Sequence, residues 1–319
     1  MAELTALYRL RQAVREELSD LAAGDRILVA VSGGADSLAL AAALLPEVTA
    51  LAIDCVPVII DHGLQADSAE VANAARATLG KLGYSSVEVR RITVKEVDGP
   101  EASARRARYA ALDQSANELS AKAIFLGHTK DDQAETVLLG LARGSGTRSL
   151  SGMAKRIDRY RRPFLGCTRT ETEAACGELG IEFWRDPHNQ SLEYKRVRVR
   201  QRVIPVLETE LGPGITDALT RSAKLLRDDA DALDHWADAE FKDFDPKNLD
   251  IEKLSKLPRA IRSRVIRKAI YLAGAPGGSL SSEHLEPVEV LVTAWQGQGP
   301  VSLPGGVTVA RISGRLSLS

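Results

Sequence analysis

Residues 25–45 read Asp25-Arg26-Ile27-Leu28-Val29-Ala30-Val31, then Ser32-Gly33-Gly34-Ala35-Asp36-Ser37, then Leu38-Ala39-Leu40-Ala41-Ala42-Ala43-Leu44-Leu45. The first segment is apolar and β-branched, the last is rich in alanine and leucine, and six small or polar residues separate them. That order predicts a buried strand, a tight turn and a helix. Adjacent glycines let the backbone take left-handed angles and approach a ligand closely. The first amides of the following helix lack intrahelical partners and carry partial positive charge, so the turn predicts an anion site, a phosphate above all. Ser32 and Ser37 add hydroxyl donors, and Asp36 is placed to hold a magnesium ion or to order the loop. The spacing is not that of an ordinary P-loop, because no lysine follows the second glycine.

The flanking sequence extends this unit into a sheet. Leu4, Leu7, Leu10, Val14, Leu18 and Leu21 recur at helical spacing, predicting a leading helix over 2–21 whose stripe joins the core. Residues 56–63 form an apolar run ending in Asp61-His62-Gly63, a second strand with polar groups at its carboxyl end; 67–82 suits a helix and 87–92 a third strand. Residues 101–119 read as a helix, 123–128 as a fourth strand and 132–141 as the next helix. Alternation with short links predicts an α/β fold, a parallel, doubly wound sheet with helices on both faces. Ligands of such sheets bind beyond the carboxyl ends of the strands, where the Ser32 loop, Asp61-His62 and His128 all fall.

Gly127-His128-Thr129-Lys130-Asp131-Asp132-Gln133-Ala134-Glu135-Thr136 is the second informative stretch. Asp132 and Glu135 are three apart and share a helix face, able to hold an ammonium or a metal between them. Asp-x-x-Glu at a helix start also fits a capping box. At a strand end that already faces a phosphate loop, the binding reading is preferred, and His128 is placed for substrate contact. Arg108 either covers its helix or reaches a phosphate.

Beyond residue 144 the chain changes character. Gly144-Ser145-Gly146 and Ser151-Gly152-Met153 mark loops, and Leu211-Gly212-Pro213-Gly214 is the expected linker, placing domains at 1–211 and 212–319. Residues 215–244, 251–272 and 286–295 read as helices and the last residues as short antiparallel strands. The net charge of −1 conceals two basic clusters, Lys195 to Arg202 with five basic residues in eight, and Lys155, Arg156, Arg159, Arg161 and Arg162. Each is a candidate polyanion surface or a solvated face. Cys55, Cys167 and Cys176 are too widely spaced for a Cys-x-x-Cys pair and are expected to pack. No apolar run reaches the roughly 18 residues of a membrane helix. The early acidic residues Glu3, Glu16, Glu17 and Asp20 fit neither a signal nor a transit peptide, so a cytoplasmic location is expected.

The Ser-Gly-Gly-x-Asp-Ser loop resembles that of the ATP pyrophosphatase (PP-loop) superfamily, a Rossmann-like fold. Taken together, residues 32–37, 61–64, 104–109, 127–136, 143–146 with 152–153, and 186–189 with 194–197 resemble the tRNA(Ile)-lysidine synthetase family in order and spacing. The likeness is most specific over about 24–210 and continues to Leu303-Pro304-Gly305-Gly306. Two positions depart from the pattern: Thr129, where a second histidine is common, and Val197, where asparagine is usual.

The resemblance implies ATP-dependent ligation of L-lysine to the wobble cytidine of a CAU-anticodon isoleucine tRNA, through an adenylated cytidine, with release of pyrophosphate and AMP. It implies ATP and pyrophosphate binding by Ser32, Gly33, Gly34, Ala35, Asp36, Ser37 and Asp61, with magnesium near Asp36. It implies catalytic roles for Asp36, Arg108 and His128, lysine binding by Asp132 and Glu135, and tRNA binding by Arg143, Lys195, Arg196 and Arg200. A mainly helical C-terminal domain touching tRNA and a homodimer are further expectations. The rivals are a tRNA-thiolating relative, which calls for cysteines at the loop, an amidotransferase-like ATP pyrophosphatase, and a noncatalytic RNA-binding module with a relic nucleotide fold.

Overall fold

The computed structural model describes residues 5–63, 68–93, 100–144 and 146–319. Glu3, Leu4, Leu64, Ser145 and the side chains of His188 and Asn189, all part of the stretches read above, lie outside the described residues.

In β1 (Arg26–Val31), Ile27, Val29 and Val31 enter one apolar cluster and Leu28 another, and all four are buried. A strand whose alternate residues both enter cores lies inside a sheet covered on two faces. β1 pairs in parallel with β2 (Asp54–Asp61), Ala30 opposite Val58, and with β4 (Ala123–Phe125), Leu28 opposite Ile124. With β3 (Glu88–Arg91), β5 (Arg156–Ile157) and β6 (Tyr160–Arg161), the order is β3-β2-β1-β4-β6-β5, and only β5 runs antiparallel. The chain order reverses between β1 and β4, which opens a crevice at their carboxyl ends.

Helices α1 (Ala6–Leu18), α2 (Ala35–Ala50), α3 (Ser68–Leu82), α4 (Pro100–Glu118), most of α5 (Lys130–Ala142) and α7 (Arg169–Glu178) complete this part, and a short α6 (Thr147–Leu150) lies between α5 and β5 in the chain. Leu10, Val14 and Leu18 of α1 and Leu38, Leu40 and Leu44 of α2 fill the first core together with Cys176 of α7. Leu112 and Ala116 of α4 cover the opposite face over Leu28, Val58 and Ile124. The predicted strands and helices are present with shifted ends: β2 runs two residues earlier, β4 stops at Phe125, and α5 is longer at both ends than expected. The β5–β6 hairpin was not predicted, since two-residue strands carry no periodicity.

That hairpin consumes the second basic cluster. Arg156 binds Glu17 at 2.5 Å and Arg161 binds Asp20 at 2.7 Å, while Lys155 meets Glu16 at 2.7 Å. Buried Arg162 donates to the Ala154 carbonyl at 2.9 Å. Lys155, Arg156 and Arg161 thus fasten this stretch to α1 and its C-terminal turn, and Arg159 donates to Asn117 Oδ1 at 2.8 Å, so the cluster is largely paired and is not an open polyanion surface.

After α7 come α8 (Lys195–Arg198), a π-helical turn over Val199–Val203 and α9 (Ile204–Glu210). Pro205 sits in the first turn of α9, where its missing N–H and its ring are tolerated, and the wider turn lies directly before it. The chain packs as two units, Met1–Leu139 with Gly152–Arg221, and Gly140–Ser151 with Ser222–Ser319. The division falls within α10 (Ile215–Phe241), beyond the turn at Leu211 to Gly214.

The second unit has its own core of helices and a four-stranded antiparallel sheet, β7-β10-β9-β8, from β7 (Asn248–Asp250), β8 (Val301–Ser302), β9 (Thr308–Ile312) and β10 (Arg315–Leu318). The helix predicted over 251–272 is two, α11 (Ile251–Lys256) and α12 (Arg259–Leu272). Pro258 forces Leu257 into extended backbone, ψ 143°, and ends the first. Ser281 and His284 form a capping box that starts α13 (Ser282–Thr293) four residues before the expected position. A buried Arg262–Glu289 pair at 2.7 Å ties α12 to α13.

Candidate active site

The turn after β1 is built to leave donors unused. Gly33 adopts φ +84°, a left-handed conformation that glycine supplies without strain, and its carbonyl accepts the Trp184 amide at 2.9 Å. The Ser37 hydroxyl accepts from the Ser32 amide at 3.1 Å and donates to the Gly34 carbonyl at 2.9 Å, closing the loop on itself. Gly34 caps α2 without any side-chain bond, so the first amides of that helix keep their capacity for an anion.

Asp36 points at the first turn of α7. Its carboxylate accepts the Thr172 hydroxyl and lies 3.4 Å from Arg169 Nε. Burial pushes the Asp36 carboxyl above its ordinary range, against the pull of Arg169 and Thr172. The helix holding these two partners starts with a Thr168/Glu171 capping box, which is legible in sequence. Which strand end it faces is not, so Arg169 and Thr172 do not stand among the expected site residues.

At α5 the capping reading and the binding reading divide. Thr129, the family departure, is itself the cap: its amide donates to Asp132 Oδ2 at 2.8 Å and its hydroxyl to the same oxygen at 3.1 Å. Asp132 is thus the reciprocal member of the box, and its other oxygen takes Arg169 Nη2 at 3.1 Å. Burial disfavours the Asp132 carboxylate, but Arg169, Arg196 and the cap outweigh it and hold its pKa low. Glu135 takes no part in the cap. It is 0% exposed and receives Arg196 Nε at 2.7 Å and Arg200 Nε at 2.6 Å. Arg196 and Arg200, expected along an RNA backbone, here point inward at Glu135, whereas Lys195 and Arg143 are exposed.

These elements enclose a cavity of about 550 Å³ lined by Ser32, Gly34 to Ser37, Asp61, His62, Arg108, His128, Arg169, Trp184 and Arg200, among others. That volume suits a nucleotide-sized ligand. Arg108 contacts the Tyr109 ring at 5.8 Å and has no ion pair among the described residues. The Nδ1 atoms of His62 and His128 are buried and have no partner among the described residues. Burial drives the His128 pKa down to about 3, with Arg162 and Arg108 acting in the same direction against Asp132. Burial and Arg108 lower that of His62. An unpaired guanidinium beside two neutral imidazoles can bind an anion or a polar base without bringing a competing negative charge. Asp36 and Asp61 also line the cavity and carry hard oxygen donors of the kind magnesium takes beside phosphate oxygens.

The three cysteines are unpaired. Cys176 lies under the loop, 3.6 Å from the Ala35 carbonyl, but it is buried and its thiol is pushed up to about 11 by burial. Cys55 is pushed up to about 12 and Cys167 to about 11, again by burial. None of the three lines the cavity.

Residues 4–207 match the family model of a PP-loop domain, and residues 249–317 that of a TilS substrate binding domain. The chain is 51% identical to the tRNA(Ile)-lysidine synthase of Thermobifida fusca, over 97% of this chain and 96% of that protein. It is 51% identical to that of Streptomyces coelicolor, over 91% and 84%, and 47% identical to that of Leifsonia xyli, over 93% and 90%. Its fold is similar to that of the U34-tRNA thiolase NcsA from Methanococcus maripaludis, with a TM-score of 0.58 at 19% identity, covering 70% of this chain and 80% of that one. A phosphate loop, a cavity at the switch point of a parallel sheet and identity of this extent along nearly the whole chain place it in the tRNA(Ile)-lysidine synthase family.

Proposed function

We propose that this protein ligates L-lysine to the wobble cytidine of the CAU anticodon of isoleucine tRNA at the expense of ATP. The cytidine O2 attacks the α-phosphorus, and the bond to pyrophosphate breaks. The lysine ε-amine then attacks carbon-2, and AMP departs with the former carbonyl oxygen. The observation that carries this reading is the cavity itself, lined at once by a loop of unused amides, by Arg108, which has no ion pair among the described residues, and by neutral His128.

The Ala35 to Ser37 amides stabilise the departing pyrophosphate, where negative charge grows during the first step. Asp36 would hold magnesium, which offsets phosphate charge when bound. Arg108, which lines the same cavity, neutralises the phosphoryl oxygens, and His128, neutral at physiological pH, supplies hydrogen bonds to the unstacked base. An anticodon loop is single-stranded and can present that base to a pocket. Lysine enters at the Asp132–Glu135 corner. Exposed Lys195 and Arg143 lie along RNA phosphates, and the second unit takes the remainder of the tRNA. The buried, protonated thiols outside the cavity lining speak against thiolation.

The decisive assay incubates the protein with ATP, magnesium, labelled lysine and isoleucine tRNA bearing CAU, followed by nucleoside analysis. Label in a modified cytidine with stoichiometric AMP is expected. AMP release without a lysine adduct, or no dependence on tRNA, overturns the proposal.

A further inference from the structure

Three guanidinium groups converge on one side chain of α4, Tyr109. Arg108 lines the cavity, Arg105 stands one turn earlier on the same helix, and Arg162 follows β6; none of the three has an ion pair among the described residues. Like charges three apart on a helix repel, and a buried cation without a counter-ion is costly. What the three share is the tyrosine. Arg105 Nη2 donates to the Tyr109 hydroxyl at 3.2 Å, and the Arg105 guanidinium carbon lies 4.9 Å from the centre of the ring. Arg162 Nη2 donates to the same oxygen at 3.4 Å, while its buried Nε has no partner among the described residues. The Arg108 guanidinium carbon stands 5.8 Å from the ring centre, within cation–π range. Tyr160 fixes the ring: the two aromatic rings are 5.0 Å apart at 54°, and the Tyr160 hydroxyl donates to the Tyr109 carbonyl at 3.3 Å. Tyr160 in turn pairs with Ile124 of β4, the strand that leads to His128.

A carboxylate would also hold three cations together, but it would cancel the charge that Arg108 offers to a phosphate. Tyrosine brings a negative ring face and two acceptor lone pairs without a formal charge. Burial raises the pKa of the Tyr109 hydroxyl, yet Arg105, Arg162 and Arg108 outweigh it and hold that group below its ordinary range, as an uncompensated cationic field does. We infer that Tyr109 is the positioning residue of the first chemical step: it gathers Arg105, Arg108 and Arg162 around an uncharged, electron-rich ring and so holds Arg108 to the α-phosphate under attack. The assignment rests on the proposed ATP-dependent ligation and adds how Arg108 is kept in place without being neutralised. The competing role is plain packing of α4 against β6, which does not act through Arg108.

The test is a double-mutant cycle on the full-length protein with magnesium, lysine and isoleucine tRNA bearing CAU. It is read as single-turnover release of pyrophosphate at saturating ATP, beside the steady-state KM for ATP. Tyr109→Phe keeps the ring and removes the oxygen. Its rate is expected to fall about 10-fold, the scale of a charge-assisted hydrogen bond, with the KM for ATP within about threefold of wild type. Tyr109→Leu, which removes the ring as well, should fall about 100-fold. Arg108→Gln alone should lose at least about 100-fold, and adding Tyr109→Phe to it should change the rate by less than about twofold, because the tyrosine acts through the arginine. A packing role multiplies the two losses instead, and that result overturns the assignment. So does a Tyr109→Phe enzyme with the wild-type rate, or one whose loss lies wholly in KM. Should Tyr109→Leu fail to fold, the cycle with Tyr109→Phe decides alone. A wild type that releases pyrophosphate but adds no lysine to the tRNA overturns the ligation and leaves the cycle readable; one that releases none removes the reacting centre and this assignment with it.

Discussion

A Cβ on Gly127 would lie 2.9 Å from the carbonyl oxygen of Asp36, closer than side-chain carbons come to backbone. The end of β4 and the phosphate loop therefore touch backbone to backbone, and the two most informative stretches of the sequence form one wall. Gly127→Ala must displace the loop. We expect the KM for ATP to rise at least about tenfold, with about 1–3 kcal/mol of lost stability from overpacking, measured by steady-state kinetics and thermal melts. Unchanged ATP affinity would separate the loop from the nucleotide.

Asp36→Asn keeps the side chain's shape and its contact with Thr172 but removes the charge offered to a cation. tRNA-dependent AMP formation should fall by at least about 100-fold, the scale of losing one preorganised electrostatic contact. Full activity would take Asp36 out of the reacting centre.

Glu135→Ala removes the nearest counter-ion of Arg196 and Arg200 and leaves them with Asp132, 3.9 Å from each, in a partly buried setting. Breaking such a cluster from one side costs about 3–5 kcal/mol, so the melting temperature should drop clearly. The KM for lysine should rise at least about tenfold through the displaced guanidiniums, while ATP binding, read by nucleotide titration, stays close to wild type. A lysine KM that does not move would make Glu135 purely structural.

His128 yields a pH signature of folding. Its folded pKa of about 3 lies below the ordinary value of 6.5, so between those pH values the unfolded chain binds more protons than the native one. Its contribution to stability is therefore whole above about pH 6.5 and declines as pH falls toward 3. Melts of His128→Gln should show a shallower loss of stability between pH 7 and pH 5 than the wild type. Parallel curves would mean that the imidazole is not held neutral.

Salt separates the exposed cations from the enclosed ones. Logarithmic tRNA affinity should fall linearly with the logarithm of salt concentration, and Lys195→Gln and Arg143→Gln should each reduce that slope by about one. An unaltered slope would place those side chains off the RNA path.

Much of this arrangement was legible in the chain itself. The Val29–Ser37 stretch needs only local rules, β-branched residues, paired glycines and unpaired helix amides, so the strand, the turn and its anion affinity follow without tertiary information. Alternation of strands and helices then carried the polar strand ends at Asp61 and His128 to one edge, and the family's motifs tied them to a reaction. Misreadings arose where elements are too short for periodicity, as in the β5–β6 hairpin, or where one proline decides, as at Pro258.

What tertiary structure alone decided is which charges meet. Arg161 and Asp20 are 141 residues apart in sequence, and Arg169 and Asp36 are 133 apart. Sequence shows the sign of each residue but not its partner, because an ion pair depends on three-dimensional proximity and burial. The chain by itself thus pointed to an anion site at the turn after β1. Only folding determined that Glu135 is sealed behind arginines and that Arg108 lines the cavity with no ion pair among the described residues.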